Sequence, residues 1–340
     1  MIPRRVLLIQ TAFIGDVILV LSLVEAVRRA FPGAELTVMA VPASAPVLEN
    51  HPDIHRILRY DKRHADRGLA GLRRIEGRVR SEGFDLALVP HRSLRSALIP
   101  FLAGIPQRIG FSSSAGRMLF TERVPYRGDA HEIDRDLDLL IPLRARPEVS
   151  ILPSVYPNAG DESVVLQWMA RAGISGGVRP VAVAPGSVWN TKRWPAGSYE
   201  RLCRLLRERQ KAVVLVGGRA DVPLCESIAA AAGVPSAAGV LSLLQSAALI
   251  RRCRVLVTND TAPQHLAVAV RTPVVAIFGP TVPAFGFAPA GPRDAVVETP
   301  GLRCRPCSIH GGVRCPIGTF VCMNLITPER VLAAIDDVPG

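Results

Sequence analysis

The sequence has no apolar run near the roughly 18–20 residues that a membrane-spanning helix needs. Its first two apolar stretches, Val6 to Ile9 and Val17 to Leu23, are separated by Gly15 and Asp16. A charge at that place argues against a secretory leader, so a cytoplasmic protein is expected. Aromatic residues make up only 5% of the chain. Single-strand nucleic-acid grooves interleave such rings with basic side chains, so nucleic acid is not an expected partner. Lysine is almost absent: Lys62, Lys192 and Lys211 are the only ones among 41 basic residues. The turn after the first apolar run carries one glycine where a dinucleotide fingerprint needs several. No Ser–His–Asp order or Cys–His pair points to nucleophilic catalysis. No short-period repeat suggests a solenoid.

What is present is a long globular chain with a strong positive charge. At 340 residues there is room for two domains, and 49% hydrophobic against 21% charged residues is the balance of a packed protein. The net charge of +12 predicts an anionic partner. Because the arginines are dispersed, an anionic lipid surface or a phosphorylated glycan fits better than a polyanion bound by a basic tail.

Apolar strands and amphipathic helices alternate twice. The first series has strands at Val6–Ile9, Glu35–Ala40, Ile54–Tyr60, Phe84–Val89 and Arg108–Phe111, with helices between them and another near Glu132–Leu143. A Pro-rich passage follows, and the linker is expected around Ile151–Gly177. The second series has strands at Val181–Ala184, Ala212–Val216, Val255–Val257 and Val274–Phe278. This predicts an α/β protein of two Rossmann-like, doubly wound sheets facing each other across an interdomain cleft. The domains are expected at 1–160 and 175–325, with a C-terminal helix at 327–337 that packs back on the first.

Four stretches could carry chemistry. In Gln10-Thr-Ala-Phe-Ile-Gly15-Asp16 the carboxylate follows the first strand, at the sheet's carboxyl edge, where it could take a proton from a sugar hydroxyl. The plainer alternative is that Asp16 caps a helix. In Gly186-Ser187-Val-Trp189-Asn-Thr191-Lys192-Arg193-Trp194-Pro195, a close-approach glycine, hydroxyls and cations suit a departing diphosphate. A solvated basic loop is the bland counterpart. In Val255 to Val270 a buried strand runs through Asn259-Asp260-Thr261, which supply helix caps, into a helix with Pro263 in its first turn. That helix start favours anions. His265, one turn in, is as readily a packed core histidine. No Asp-x-Asp pair lies in either loop that could take a diphosphate, so neither a metal nor any other cofactor is expected. Finally, Cys203, Cys225 and Cys253 read as core. Cys304, Cys307, Cys315 and Cys322 share a Gly/Pro-rich segment and could bind a structural metal, form a redox staple or stay reduced.

Together these stretches resemble the ADP-heptose:lipopolysaccharide heptosyltransferases, most closely their heptosyltransferase II branch. The resemblance is carried by Thr11-Ala-Phe-Ile-Gly-Asp16, Pro90-His-Arg-Ser-Leu-Arg-Ser96, Pro185-Gly-Ser187, Thr191-Lys-Arg-Trp-Pro195, Thr258-Asn-Asp-Thr261 with His265, and Phe278-Gly-Pro-Thr281. It implies a GT-B fold and an inverting, metal-independent transfer of heptose from ADP-heptose to the lipopolysaccharide inner core, as the second heptose. By the same resemblance Asp16 would be the general base and Lys192 would steady the leaving ADP. Ser187, Thr191, Asp260, Thr261, Ala262, His265, Gly279 and Thr281 would form the donor side. Gly15, His91, Arg92 and Arg95 would meet the acceptor, with peripheral contact at the anionic cytoplasmic face of the inner membrane. Where the family has Asp-Ser/Thr-Gly, this chain has Asp260-Thr261-Ala262-Pro263, which removes backbone freedom and one N–H. A related transferase with another nucleotide sugar or acceptor, or a non-catalytic binder of an anionic ligand, is the alternative.

Overall fold

A computed structural model of the chain describes residues 2–338. The chain divides into two compact units at Tyr156/Pro157. In the first, six parallel strands are β1 (Arg5–Ile9), β2 (Glu35–Ala40), β3 (Arg56–Arg59), β4 (Leu86–Val89), β5 (Gln107–Phe111) and β6 (Glu122–Val124). Their order across the sheet is β3-β2-β1-β4-β5-β6. In the second unit the five parallel strands are β7 (Val181–Ala184), β8 (Val213–Leu215), β9 (Val255–Asn259), β10 (Val274–Phe278) and β11 (Ala295–Glu298), ordered β11-β10-β9-β7-β8.

The sequence explains the central strands directly. Val6 to Ile9, Leu86 to Val89, Val181 to Ala184 and Val255 to Asn259 are buried at every position, as strands covered on both faces must be. In each sheet the strand order reverses once, between β1 and β4 and between β7 and β9. At such a switch point the loops leaving the two strands diverge to opposite faces and open a crevice at the carboxyl edge. The residues leaving those four strands are therefore the ones placed to meet a ligand.

Several expectations are corrected. The single helix foreseen after β1 is two, Ile14–Leu19 and Leu21–Ala30, meeting at Val20. The linker foreseen at 151–177 contains a helix, Ala159–Arg171, closed by a capping box between Asn158 and Asp161. Only Val165 and Met169 of that helix are fully buried, so its apolar stripe is one turn long and weak in the sequence. The C-terminal helix Pro328–Asp337 contributes Val331, Leu332 and Ile335 to the core of the second unit.

That core is anchored by Trp194, which is 1% exposed. Its ring meets Tyr199 edge-on at 4.8 Å, and its Nε1–H donates to the Ile326 carbonyl at 2.9 Å. Trp194→Ala is expected to cost about 3–5 kcal/mol, read as a lower urea midpoint for the second unit.

Candidate active site

In the first unit, β1 hands the chain to Gln10-Thr11 and β4 to Pro90-His91, the two sides of its switch point. Thr11 Oγ1 lies 2.9 Å from His91 Nδ1 and 3.3 Å from Ser96 Oγ, and His91 Nδ1 is 2.8 Å from Ser96 Oγ. Burial, then the charges of Lys62 and Arg92, push the His91 imidazole down to about 4, so it is neutral near pH 7. Lys62 reaches this cluster from outside the expected site and donates to the Thr11 carbonyl at 2.7 Å. Burial lowers the Lys62 ammonium, and Arg63 and Arg95 push it the same way.

Asp16 sits in the first turn of helix Ile14–Leu19, where Gly15 precedes it. Its Oδ2 accepts the Phe13 N–H at 3.2 Å, so the capping role is real. The carboxyl is nevertheless raised to about 6, first by burial and then by the charge of Glu132; backbone N–H groups and Arg92 pull it back only partly. Glu132 opens helix Glu132–Asp138 and is held from two sides. Tyr126 OH donates to its Oε2 at 2.7 Å and Arg135 Nη1 at 2.8 Å. Arg92 stacks on the Tyr126 ring, 4.0 Å from its centroid. Behind them Asp136 is 1% exposed, with neither carboxyl oxygen hydrogen-bonded. Burial, followed by Glu132 and Asp16, drives it well above the carboxylate range. Of the expected acceptor residues, His91 and Arg92 gather here. Arg95 turns instead to Tyr60 OH at 2.9 Å.

In the second unit, β7 ends at Pro185-Gly186-Ser187 and β9 at Asp260. Asp260 is the hub. Its Oδ2 pairs with Lys192 Nζ at 2.6 Å and accepts from Thr281 Oγ1 at 2.7 Å, while Oδ1 accepts from Gln264 Nε2 at 3.0 Å. Lys192 and Thr281 arrive from the loops after β7 and β10, so three strand ends converge on one carboxylate. Gly186 gives room there to the Asp221 carboxylate, since a Cβ would lie 2.1 Å from Asp221 Oδ1 and push it aside. Ser187 Oγ accepts the Trp189 N–H at 3.2 Å and closes the turn that presents Lys192.

Asn259 does not cap the following helix as foreseen. It is fully buried and staples the loop after β7: Nδ2 donates to the Pro185 carbonyl at 2.9 Å, and Oδ1 accepts from Trp194 N and Tyr199 OH, each at 3.0 Å. Thr261 occupies the N-cap of helix Ala262–Ala269 but makes no side-chain cap bond; its hydroxyl lies 3.3 Å from Thr258 Oγ1. Ala262 and Pro263 form the first turn. His265 is 6% exposed, with Nε2 3.4 Å from Gln264 Nε2.

Cys203, Cys225 and Cys253 are buried free thiols, each pushed up to about 12 chiefly by burial. Cys304, Cys307, Cys315 and Cys322 are also free, and among the described residues no three His, Cys, Asp or Glu side chains are placed to hold a metal ion. A surface hollow of about 570 Å³, lined by Arg5, Phe31 and Glu35 among others, opens at the amino-terminal edge of the first sheet, away from all these groups.

The arrangement supplies a carboxylate of raised basicity in one unit and a carboxylate-anchored ammonium at a strand-end crevice in the other. Comparison with known proteins agrees in class. The chain is 28% identical over 297 residues to lipopolysaccharide heptosyltransferase 2 of Escherichia coli K12, covering 83% of this chain and 84% of that protein. The solved ADP-heptose lps heptosyltransferase II of E. coli superposes with a TM-score of 0.80 over 98% of each chain at 24% identity. A glycosyl transferase family 9 structure from Veillonella parvula gives 0.89 at 21% identity, over 98% of this chain and 97% of the other. Both share the two parallel α/β units of the GT-B class. Residues 72–311 match the model of glycosyltransferase family 9 (heptosyltransferase), and the chain belongs to that family.

Proposed function

We propose that this glycosyltransferase moves heptose from ADP-heptose onto the inner core of lipopolysaccharide, as the second heptose, with inversion and without a metal. The observation that carries the mechanism is Asp16, a carboxyl tuned to about 6 at the carboxyl edge of β1. A base of that strength is ionised at neutral pH yet still takes a proton readily. In the proposed reaction an acceptor hydroxyl oxygen attacks the anomeric carbon of the donor heptose. Asp16 takes the hydroxyl proton as the bond to the β-phosphate oxygen breaks, and ADP departs with the electron pair. Lys192 stabilises the charge that grows on the leaving diphosphate, which lowers the transition state more than the ground state.

Within this scheme Ser187, Thr191, Thr261, Ala262, His265, Gly279 and Thr281 surround the donor. Asp260, its oxygens already engaged, acts by holding Lys192 and Thr281 in place. Gly15, His91 and Arg92 serve the acceptor side. The net charge of +12 suits a phosphorylated glycolipid at the cytoplasmic face of the inner membrane. No helix among the described residues is long and apolar enough to cross a membrane.

The deciding experiment measures ADP release from ADP-heptose, in EDTA, with lipid A–Kdo acceptors bearing no heptose or one. Release only with the one-heptose acceptor is expected. Release with the heptose-free acceptor alone would move the chain to the first-heptose step. No release from any acceptor would sink the donor assignment, and activity lost only in EDTA would overturn the metal-free step. The pH profile follows from the sign of the Asp16 shift. Since the free carboxyl takes up its proton near pH 6, kcat/KM should be level above about pH 7 and fall tenfold per pH unit below about 6. An acid limb near 4 would exclude Asp16 as the base.

A further inference from the structure

The cysteine-bearing segment 302–322 touches both loops that meet on Asp260. Arg305, whose side chain is 6% exposed, donates to the Thr281 carbonyl at 2.8 Å and to the Thr299 carbonyl at 3.0 Å; it also bonds the Gly279 carbonyl and pairs with Glu298. Two residues on, the Cys307 N–H donates to the Pro280 carbonyl at 2.9 Å. The segment therefore holds Gly279, Pro280 and Thr281 in turn. It then crosses to the loop after β7. There Thr191 N donates to the Gly312 carbonyl at 3.0 Å, and Gly312 N donates back to Thr191 Oγ1 at 2.8 Å. Gly311 has φ +84, and a Cβ on it would lie 2.9 Å from Lys192 Cγ and 3.2 Å from Thr191 Oγ1. Thr281 and Lys192 are the two groups that share Asp260 Oδ2.

We propose that segment 302–322 is a strap that positions the donor site, with Arg305 locating Thr281 and the Gly311-Gly312 pair locating Lys192. The proposal deepens the assignment of Lys192 to the leaving diphosphate and rests on it. Two loops that leave different strands have no covalent reason to stay in register. A guanidinium whose donors are shared among backbone carbonyls after β10 and β11, and a two-way clasp between Thr191 and Gly312, supply that reason. Lysine cannot replace Arg305, because a point ammonium lacks the planar fork that reaches several carbonyls at once. Arg305 and Gly311 are positioning residues; neither is assigned a contact with substrate.

The test is ADP binding by calorimetry on the full chain, with KM for donor and acceptor measured in parallel. Gly318 provides the control. It lies in the same strap with φ +73, but a Cβ there meets nothing within 4 Å. Gly318→Ala imposes the same left-handed strain without touching Lys192. Gly311→Ala and Arg305→Lys should each weaken ADP at least about tenfold and raise the donor KM, since a displacement of about 1 Å at a charged contact is that costly. The acceptor KM should not move, and Gly318→Ala should bind ADP within twofold of wild type. Folded Gly311→Ala and Arg305→Lys proteins that bind ADP like wild type would overturn the strap while leaving the donor site standing. Equal losses in Gly311→Ala and Gly318→Ala would overturn it too, as general strain. If Lys192→Met leaves ADP affinity unchanged, the donor assignment fails, and the strap's role falls with it.

Discussion

Asp16→Asn is expected to abolish heptosyl transfer, lowering kcat by about 10²–10⁴-fold, while ADP binds as in wild type and the fold becomes more stable. The combination separates a base from a cap. Asparagine keeps the shape of aspartate and can still accept the Phe13 N–H, but it cannot take a proton at neutral pH. The stability change follows from linkage. The folded-state carboxyl titrates near 6, above its ordinary 3.8, so the folded protein holds that proton more tightly than the unfolded chain. The stabilisation this gives is complete below about pH 4 and is lost as pH rises through 6. At pH 8 ionised Asp16 therefore opposes folding, by up to about 2–3 kcal/mol. A neutral amide removes that opposition, so Asp16→Asn should raise the urea midpoint at pH 8 and change it little at pH 4. If Asp16 served mainly as a helix cap, the amide would leave activity near wild type and lower the midpoint. Lost activity with a raised midpoint would make Asp16 a residue at which stability is surrendered to function.

Much of the fold could be foreseen because the central strands are covered on both faces. Runs such as Val6 to Ile9 and Val274 to Phe278 need no alternation to be recognised. The two strands not foreseen, β6 and β11, each lie at one edge of their sheet. Glu122-Arg-Val124 and Ala295-Val-Val-Glu298 each keep only one fully buried residue, so neither has the continuous burial of a central strand. Among candidate site residues, those at strand ends were accessible, since the carboxyl edge follows from the order of strands and helices. What surrounds them was not. Glu132 acts on Asp16, and Asp16 in turn on Asp136, across more than a hundred residues, and no local pattern connects them. Arg305 was hidden for a related reason: most of its partners are backbone carbonyls, which leave no trace in residue type. Asn259 looked like a helix cap because capping is what asparagine does locally, and a tertiary demand from Trp194 and Tyr199 overrides it.

Lys192 and Asp260 should part company in a double-mutant cycle. Their side chains are 13% and 9% exposed, so the pair is largely out of water. Removing the ammonium alone, as in Lys192→Met, strands a carboxylate that keeps only Thr281 and Gln264, and should cost on the order of 3 kcal/mol of stability. It should also lower kcat by about 10²–10³-fold, the usual loss when a fixed donor to a developing charge is removed. Asp260→Asn alone leaves Lys192 charged but unanchored; ADP still binds, more weakly, because the ammonium is no longer held at one place. In Lys192→Met/Asp260→Asn no charge is left stranded, so most of the lost stability should return. Activity should not return with it, because the anchor has no purpose without the cation. Denaturant midpoints and single-turnover rates on the four proteins read the two quantities separately. If rate and stability recover together, Lys192 is a structural counter-ion, and the charge on departing ADP must be met by another group. If stability recovers while the rate stays low, the ion pair is a holding state: Asp260 keeps the ammonium ordered until the diphosphate shares its charge.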